Sequence, residues 1–347
     1  MSDSLSASSV LDQLQRPLRD LRISVTDRCN LRCTYCMPRD VFGKGFAFLP
    51  RAELLSFEEI VRVARLAIEL GVRKIRLSGG EPLLRHGVER LIERLAALRD
   101  RDGQSIELAM TTNGTLLEAK ASSLKNAGLT RLTVSLDALD AAVFQQISDS
   151  GVPVEKVLNG IAAAVAAGLA PIKVNAVIKR GANEQEILPL VRYFRHSGII
   201  LRFIEFMDVG ATNGWRLDDV IAAEEILKVI HAEFPLEPID PHYRGEVAQR
   251  WRFADGAGEI GVVASVTQAF CHDCTRLRLS TDGKLFTCLF ANVGTDIRTP
   301  LRGGEDDTQL AALIAATWQQ RHDRYSQLRH EATPLPVKKI EMSYIGG

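Results

Sequence analysis

Cys29, Cys33 and Cys36 stand within the stretch DRCNLRCTYCMP, at a C-x3-C-x2-C spacing. A disulfide framework calls for an even number of cysteines and a tetrahedral zinc site for four ligands, so neither accounts for three. An iron-sulfur cube normally takes four thiolates. Held by three, it would keep one iron open to a ligand that is not protein. Cys271, Cys274 and Cys288 form a second triplet, C-x2-C-x13-C, so all six cysteines fall into two groups of three. Zinc remains an alternative there, with His272 as an awkward fourth ligand inside the C-x2-C loop. A second cube is the sharper reading, because an open iron can bind substrate directly.

Between the last two cysteines, Arg276 and Arg278 alternate with Leu277 and Leu279, which puts two guanidiniums on one strand face. Taken alone, such a pair is an ordinary solvated face. Arg22, Lys74, Arg76 and Lys173, however, occupy alternate positions of other predicted strands, and cations gathered in one cavity are costly without compensation. A polyanion offsets that cost, and planar guanidiniums match phosphate oxygens in pairs. The sequence has no G-x4-G-K-[ST] loop, so a nucleotide would be gripped by these side chains.

Strands alternating with helices must position these groups. Strands are predicted at Leu21–Thr26, Lys74–Ser78, Glu107–Thr111, Arg131–Asp137, Ile172–Ile178 and Ile200–Glu205. Ser56 and Glu59 make a capping-box pair ahead of an apolar helical stripe, and Gly71 can end that helix. Six such units suit an incomplete barrel or a doubly wound sheet. Each strand alternates polar with apolar residues, whereas a parallel sheet covered on both faces reads as continuous apolar runs. A partial barrel with a polar, ligand-holding interior follows. The alternative, an antiparallel sheet with one wet face, conflicts with the intervening helices. The first cysteine triplet, Ser78-Gly79-Gly80-Glu81-Pro82, Thr111-Thr112-Asn113-Gly114, Ser135, Asp137 and Glu205-Phe206-Met207 all follow strand C-termini, the end at which barrel active sites lie. Gly79 and Gly80 are expected to let backbone approach a ligand.

The chain has 347 residues, 46% of them hydrophobic, enough for a large core without disulfide staples. Its 43 basic and 43 acidic residues cancel, which argues against a general nucleic-acid surface. No apolar run is long enough to span a membrane and no signal peptide is evident, so a cytoplasmic protein with reduced thiols is expected.

The first triplet, with Tyr35 before its last cysteine, and the Gly-Gly-Glu-Pro segment resemble the radical S-adenosylmethionine (SAM) enzymes. That resemblance implies a [4Fe-4S] cluster on Cys29, Cys33 and Cys36. The open iron would chelate SAM, with Tyr35, Gly80, Ser135, Arg202 and Met207 contacting it. Both triplets, the arginines between them and the terminal Gly346-Gly347 are similar to the GTP-cyclising branch of that family, lyases of molybdenum cofactor biosynthesis. The similarity runs from about Leu18 to the last residue. It implies a second [4Fe-4S] cluster on Cys271, Cys274 and Cys288, and GTP contacts from Arg22, Arg76, Thr111, Lys173, Arg276, Leu277 and Arg278. Arg276, Arg278, Gly346 and Gly347 would serve catalysis. The expected organisation is a flexible stretch 1–17, a partial (β/α)6 barrel over 18–207, and a C-terminal domain over 208–347 with the second cluster and the glycine tail.

The implied reaction removes the 3′ hydrogen of GTP and joins that carbon to C8 of guanine. A reductive electron donor and a downstream cyclic pyranopterin monophosphate synthase are the implied partners, with the chain a monomer or homodimer that engages no nucleic acid or membrane. Thr275 and Asp149-Ser150-Gly151 depart from the branch's usual residues and leave local loop contacts open. The competing readings are a radical SAM peptide maturase with an auxiliary cluster and a zinc-dependent nucleic-acid module. Terminal residues are ordinarily disordered and dispensable, but the resemblance implies that Gly346 and Gly347 enter the barrel, where two residues without side chains can thread a narrow cavity.

Overall fold

The computed structural model describes residues 9–243, 245–268, 270–329 and 339–346. Six strands, β1 (Asp20–Ser24), β2 (Lys74–Ser78), β3 (Glu107–Thr112), β4 (Arg131–Ser135), β5 (Ile172–Ile178) and β6 (Ile200–Glu205), lie parallel and side by side in chain order. Helices α1 (Phe57–Glu69), α2 (Val88–Ala96), α3 (Leu117–Asn126), α4 (Ala141–Ser148), α5 (Val154–Ala166) and α6 (Ile187–Phe194) make the crossovers. A doubly wound sheet reverses its strand order at a switch point. This one does not. With right-handed crossovers, sequential order sends all helices to one face and leaves the other for the cavity.

The alternation of the strands sorts their side chains accordingly. Leu21, Ile23, Ile75, Leu77, Leu108, Leu132, Val134, Val174, Leu201 and Phe203 form the helix-facing core, each at most 1% exposed. Burying each such side chain stabilises the fold by about 1.5 to 3 kcal/mol. The capping box of α1 is present, with Glu59 N donating to Ser56 Oγ (3.1 Å) and Ser56 N to Glu59 Oε2 (2.6 Å). Ile60, Val63, Ala64, Ala67 and Ile68 are its buried stripe.

Residues beyond Glu205 extend the same sheet at both ends. After α7 (Ala223–Glu233), β7 (Leu236–Ile239), β8 (Gln249–Phe253) and β9 (Glu259–Val263) add to β6, with β9 parallel to it. At the other end β10 (Arg276–Leu279) pairs parallel to β1, placing Arg276 beside Asp20 and Arg278 beside Arg22, and β11 (Lys284–Phe286) and β12 (Thr295–Asp296) follow. Helices α8 (Arg298–Gly303), α9 (Asp307–Gln319), α10 (Tyr325–Leu328) and α11 (Met342–Ile345) complete the chain. The sheet therefore runs without a break across the expected boundary at residue 207. Of the expected flexible stretch 1–17, residues 9–17 are described, and there Asp12 and Arg16 are packed inside the protein.

Candidate active site

The first cysteine triplet occupies the loop after β1. Cys33 O accepts hydrogen bonds from the backbone of Cys36 and Met37, both at 2.9 Å, in a turn whose three cysteines line one cavity. Gly79 and Gly80 brace this loop from below. A Cβ on Gly79 would overlap the Thr26 carbonyl and one on Gly80 the Arg28 carbonyl, while Gly80 N and Glu81 N donate to those same carbonyls at 2.8 Å. The pair thus brings backbone close to the cysteine loop, in addition to the ligand approach expected of it. Glu81, fully buried, accepts from Leu83 N (2.9 Å), Thr112 Oγ1 and Asn113 N (both 2.7 Å), and burial raises its carboxyl to about 7. Asn113 Nδ2 in turn approaches Cys29 Sγ at 3.7 Å. Burial lifts the Cys29 thiol to about 11 and pushes Cys33 and Cys36 up as well. Three half-buried thiols on one loop, each held above its ordinary range, are a donor set suited to an electrophilic metal cluster. Tyr35 donates its hydroxyl to Asp137 Oδ2 (2.7 Å), a carboxylate that also holds Val177 N (2.8 Å).

The second triplet has a different electrostatic setting. Arg276 directs Nε and Nη2 at Cys274 Sγ (3.4 and 3.3 Å). Burial opposes ionisation of Cys274, but Arg276 and Arg321 together outweigh it and bring the thiol down to about 6. At Cys288 Arg321 acts too weakly to offset burial and Asp323, which drive the thiol up to about 12. His272 is solvent-facing, its ring nitrogens meeting Asp273 Oδ2 (3.0 Å) and Gln327 Nε2 (3.4 Å), so the donor set does not favour the zinc alternative. Among the described residues, no group of three His, Cys, Asp or Glu side chains is arranged for a single metal ion. Thr275 is buried, with its hydroxyl on Asp20 Oδ2 at 2.6 Å, and Asp149 pairs with Arg39 at 2.8 Å on the surface. These are the local roles of the two departing segments.

All six cysteines line one cavity of about 300 Å³ inside the barrel. Tyr35, Gly80, Ser135, Arg202, Met207, Arg22, Arg76, Thr111, Arg276 and Arg278 line it too. Arg76 Nη1 donates to Thr111 Oγ1 (3.0 Å) and Thr133 Oγ1 (3.1 Å). Leu277 is turned into the core, fully buried, so only its backbone can meet a ligand in the cavity. Lys173 lies in a smaller cavity at the barrel floor, shared with Arg22, Arg76, Arg202 and Arg276 and walled also by Lys74 and Arg131. Glu107 pairs with Lys74 (2.7 Å) and Arg131 (3.1 Å), and the buried Glu246 with Arg202 (3.2 Å). Burial, and then Arg202, lower the Lys173 ammonium to about 7. Sequence reading missed Glu246 and Arg321, because each arrives from a distant segment with no motif around it.

The tail enters the same barrel. Ile345 is fully buried, and Arg278 Nη1 donates to the carbonyl of Gly346. Gly347 lies outside the described residues.

Comparison with known proteins fits this arrangement. Residues 23–194 match the Radical SAM superfamily model and residues 199–327 the model for Molybdenum Cofactor Synthesis C. A GTP 3′,8-cyclase of Acidothermus cellulolyticus is 52% identical, covering 97% of this chain and 99% of the relative. The chain belongs to the GTP 3′,8-cyclase family. Members from Xanthomonas campestris pv. campestris (48% identical, all of both chains) and Staphylococcus aureus (47%, 97% of this chain and 99% of the relative) align as fully. As a radical SAM protein, this GTP 3′,8-cyclase family member has a [4Fe-4S] cluster and SAM as its cofactors. Among solved structures, SuiB of Streptococcus suis bound to S-adenosylmethionine superposes with a TM-score of 0.59 at 16% identity, over 87% of this chain and 68% of SuiB. The SuiB complex with precursor peptide SuiA gives 0.60 at 15%, over 90% and 67%. These two likenesses show the radical SAM fold. No described helix is long and apolar enough to cross a membrane.

Proposed function

We propose that the chain converts GTP to 3′,8-cyclo-7,8-dihydro-GTP with two [4Fe-4S] clusters, one on Cys29, Cys33 and Cys36 and one on Cys271, Cys274 and Cys288. The observation that carries this reading is that both triplets and a set of inward guanidiniums share one cavity. When bound, the first cluster with SAM supplies a 5′-deoxyadenosyl radical once a reductive donor has delivered an electron. Tyr35, Gly80, Ser135, Arg202 and Met207 hold SAM at the upper rim of the strands. Arg22, Arg76, Thr111, Lys173, Arg276 and Arg278, with the backbone of Leu277, hold GTP across the barrel. The second triplet orients the guanine, and the basic floor takes up the triphosphate charge. With Ile345 buried and the Gly346 carbonyl held by Arg278, the tail would limit water around GTP and help position its ribose, which matters for a step sensitive to small displacements.

The functional divisions are a barrel over 18–207 and a second-cluster region over 208–347. The product is of the class a cyclic pyranopterin monophosphate synthase consumes. Anaerobic reconstitution followed by metal analysis tests the cofactor content: about eight irons per chain supports two cubes, whereas about four would remove the second. Incubation with SAM, reductant and GTP tests the activity through the joint appearance of 5′-deoxyadenosine and a cyclised nucleotide.

A further inference from the structure

The loop of the second cysteine triplet is gripped from behind by both ends of the chain. Arg16, 2% exposed, donates from Nη1 to the carbonyls of Cys271 (2.6 Å) and Asp323 (3.0 Å) and from Nε to Asp12 Oδ2 (2.6 Å). Arg321, 4% exposed, donates from Nη1 to the carbonyl of Cys274 (2.6 Å) and lies 3.5 Å from Asp12 Oδ2 and 3.2 Å from Asp323 Oδ2. Trp318 ties the two together: Nε1 donates to the Arg16 carbonyl (3.0 Å), and Arg321 lies over its ring (4.6 Å).

A carbonyl can be held by a neutral donor, so the charge needs its own reason. Burying two guanidiniums is costly unless anions compensate. Here Asp12 serves both and Asp323 serves Arg321 as well, while Arg16 Nη2 is buried without an acceptor among the described residues. Arg321 also faces the cavity beside Cys274 and Cys288. Arg321 thus sits where added negative charge on a thiolate-ligated cluster would be stabilised, and Arg16 adjoins the same loop through the Cys271 carbonyl; charge and hydrogen bonding around a cluster set its reduction potential.

We propose that Arg16 and Arg321 form a clamp that fixes the Cys271–Cys274 loop and, by their charge, raises the reduction potential of the second cluster. The inference rests on the reading of that triplet as a cluster site. It makes the segment around Asp12–Arg16 part of the cluster's environment, and it casts both arginines as positioning residues.

The test uses the full chain with Cys29→Ala, Cys33→Ala and Cys36→Ala, so that iron reports on the second triplet alone. Iron content and the midpoint potential, from an EPR-monitored redox titration, are then compared for Arg16→Met, Arg16→Lys, Arg321→Met and Arg321→Lys. Each Met variant is expected to retain iron with a midpoint shifted to more negative potential, and Lys at position 321 to restore most of the shift. If a Met variant loses its cluster, the Gln variant, which keeps a donor without the charge, gives the same comparison against Lys. Iron retained with an unmoved midpoint in the neutral variants would overturn the clamp's electrostatic role while leaving the second cluster standing. Absence of iron in the parent, whose arginines are intact, would overturn both.

Discussion

The carbonyl of Gly346 is held inside the barrel by the guanidinium of Arg278, the residue that also lies beside Arg22 across the β1–β10 pair. Gly346 has φ +75, and a Cβ there would overlap Ser78 Oγ, a buried hydroxyl with no hydrogen-bond partner among the described residues. Backbone conformation and space both call for glycine at this position. Gly346→Val is therefore expected to lower product formation at least tenfold, the scale of a misplaced reacting group. Iron content and GTP affinity should stay within a factor of a few. Ser78→Gly should recover part of the loss in Gly346→Ala by removing the overlap. Full activity of Gly346→Val would show that the tail has no part in catalysis.

Arg278 and Arg276 offer the next test. Arg278→Ala should weaken GTP binding by about 1.5 to 3 kcal/mol, the value of a lost charge-assisted contact, with SAM affinity nearly unchanged. Lysine should rescue poorly because it lacks the planar fork. Arg276→Ala should weaken GTP binding too, and it also strips Cys274 of two donors. Isothermal titration with each ligand separates the effects, and unaltered GTP affinity in both variants would return these arginines to a purely structural role.

A pH dependence follows from Lys173. Its ammonium is lowered to about 7 by burial and by Arg202, so it is charged below that pH and mostly neutral above it before substrate arrives. A triphosphate favours the charged form, so binding above pH 7 must take up a proton. The dissociation constant for GTP should then rise between pH 7 and 9, by up to about tenfold per unit. The last phosphate proton, with a pKa of about 6, is already gone in that window. Lys173→Arg should flatten the profile. Equal slopes for the two proteins would exclude Lys173 as the source.

The two cysteine triplets are expected to differ in function, although each is proposed to bind iron. Replacing Cys29, Cys33 or Cys36 by Ala should abolish SAM cleavage. Replacing Cys271, Cys274 or Cys288 should spare some cleavage and stop cyclisation. Counting 5′-deoxyadenosine against cyclised nucleotide distinguishes them; equal loss of cleavage in both sets, with the first cluster intact, would contradict the division of labour.

What could be read in the sequence was what short-range periodicity encodes. All six barrel strands fall where period-two alternation put them, because the pleat that sends Arg22 and Arg76 inward sends Leu21 and Ile75 outward. The Ser56–Glu59 cap was legible for the same local reason. Arg16 binding the Cys271 carbonyl was not, since 255 positions separate them and nothing near Arg16 marks a partner. Glu246 was hidden likewise: it lies in a loop, and its meaning comes from Arg202 on β6. Gly79 and Gly80 were read as a ligand approach, yet a large part of their constraint is the carbonyls of Thr26 and Arg28, a backbone contact that residue types do not reveal.

The measurement that tests the central claim most directly is isotope transfer from the substrate. Reconstituted protein is given SAM, reductant and GTP deuterated at C3′, and the 5′-deoxyadenosine is examined by mass spectrometry alongside the nucleotide product. One deuterium per 5′-deoxyadenosine, formed in step with 3′,8-cyclo-7,8-dihydro-GTP, is the predicted result. 5′-Deoxyadenosine without deuterium, and no cyclised nucleotide, would contradict the assignment of this cavity to GTP.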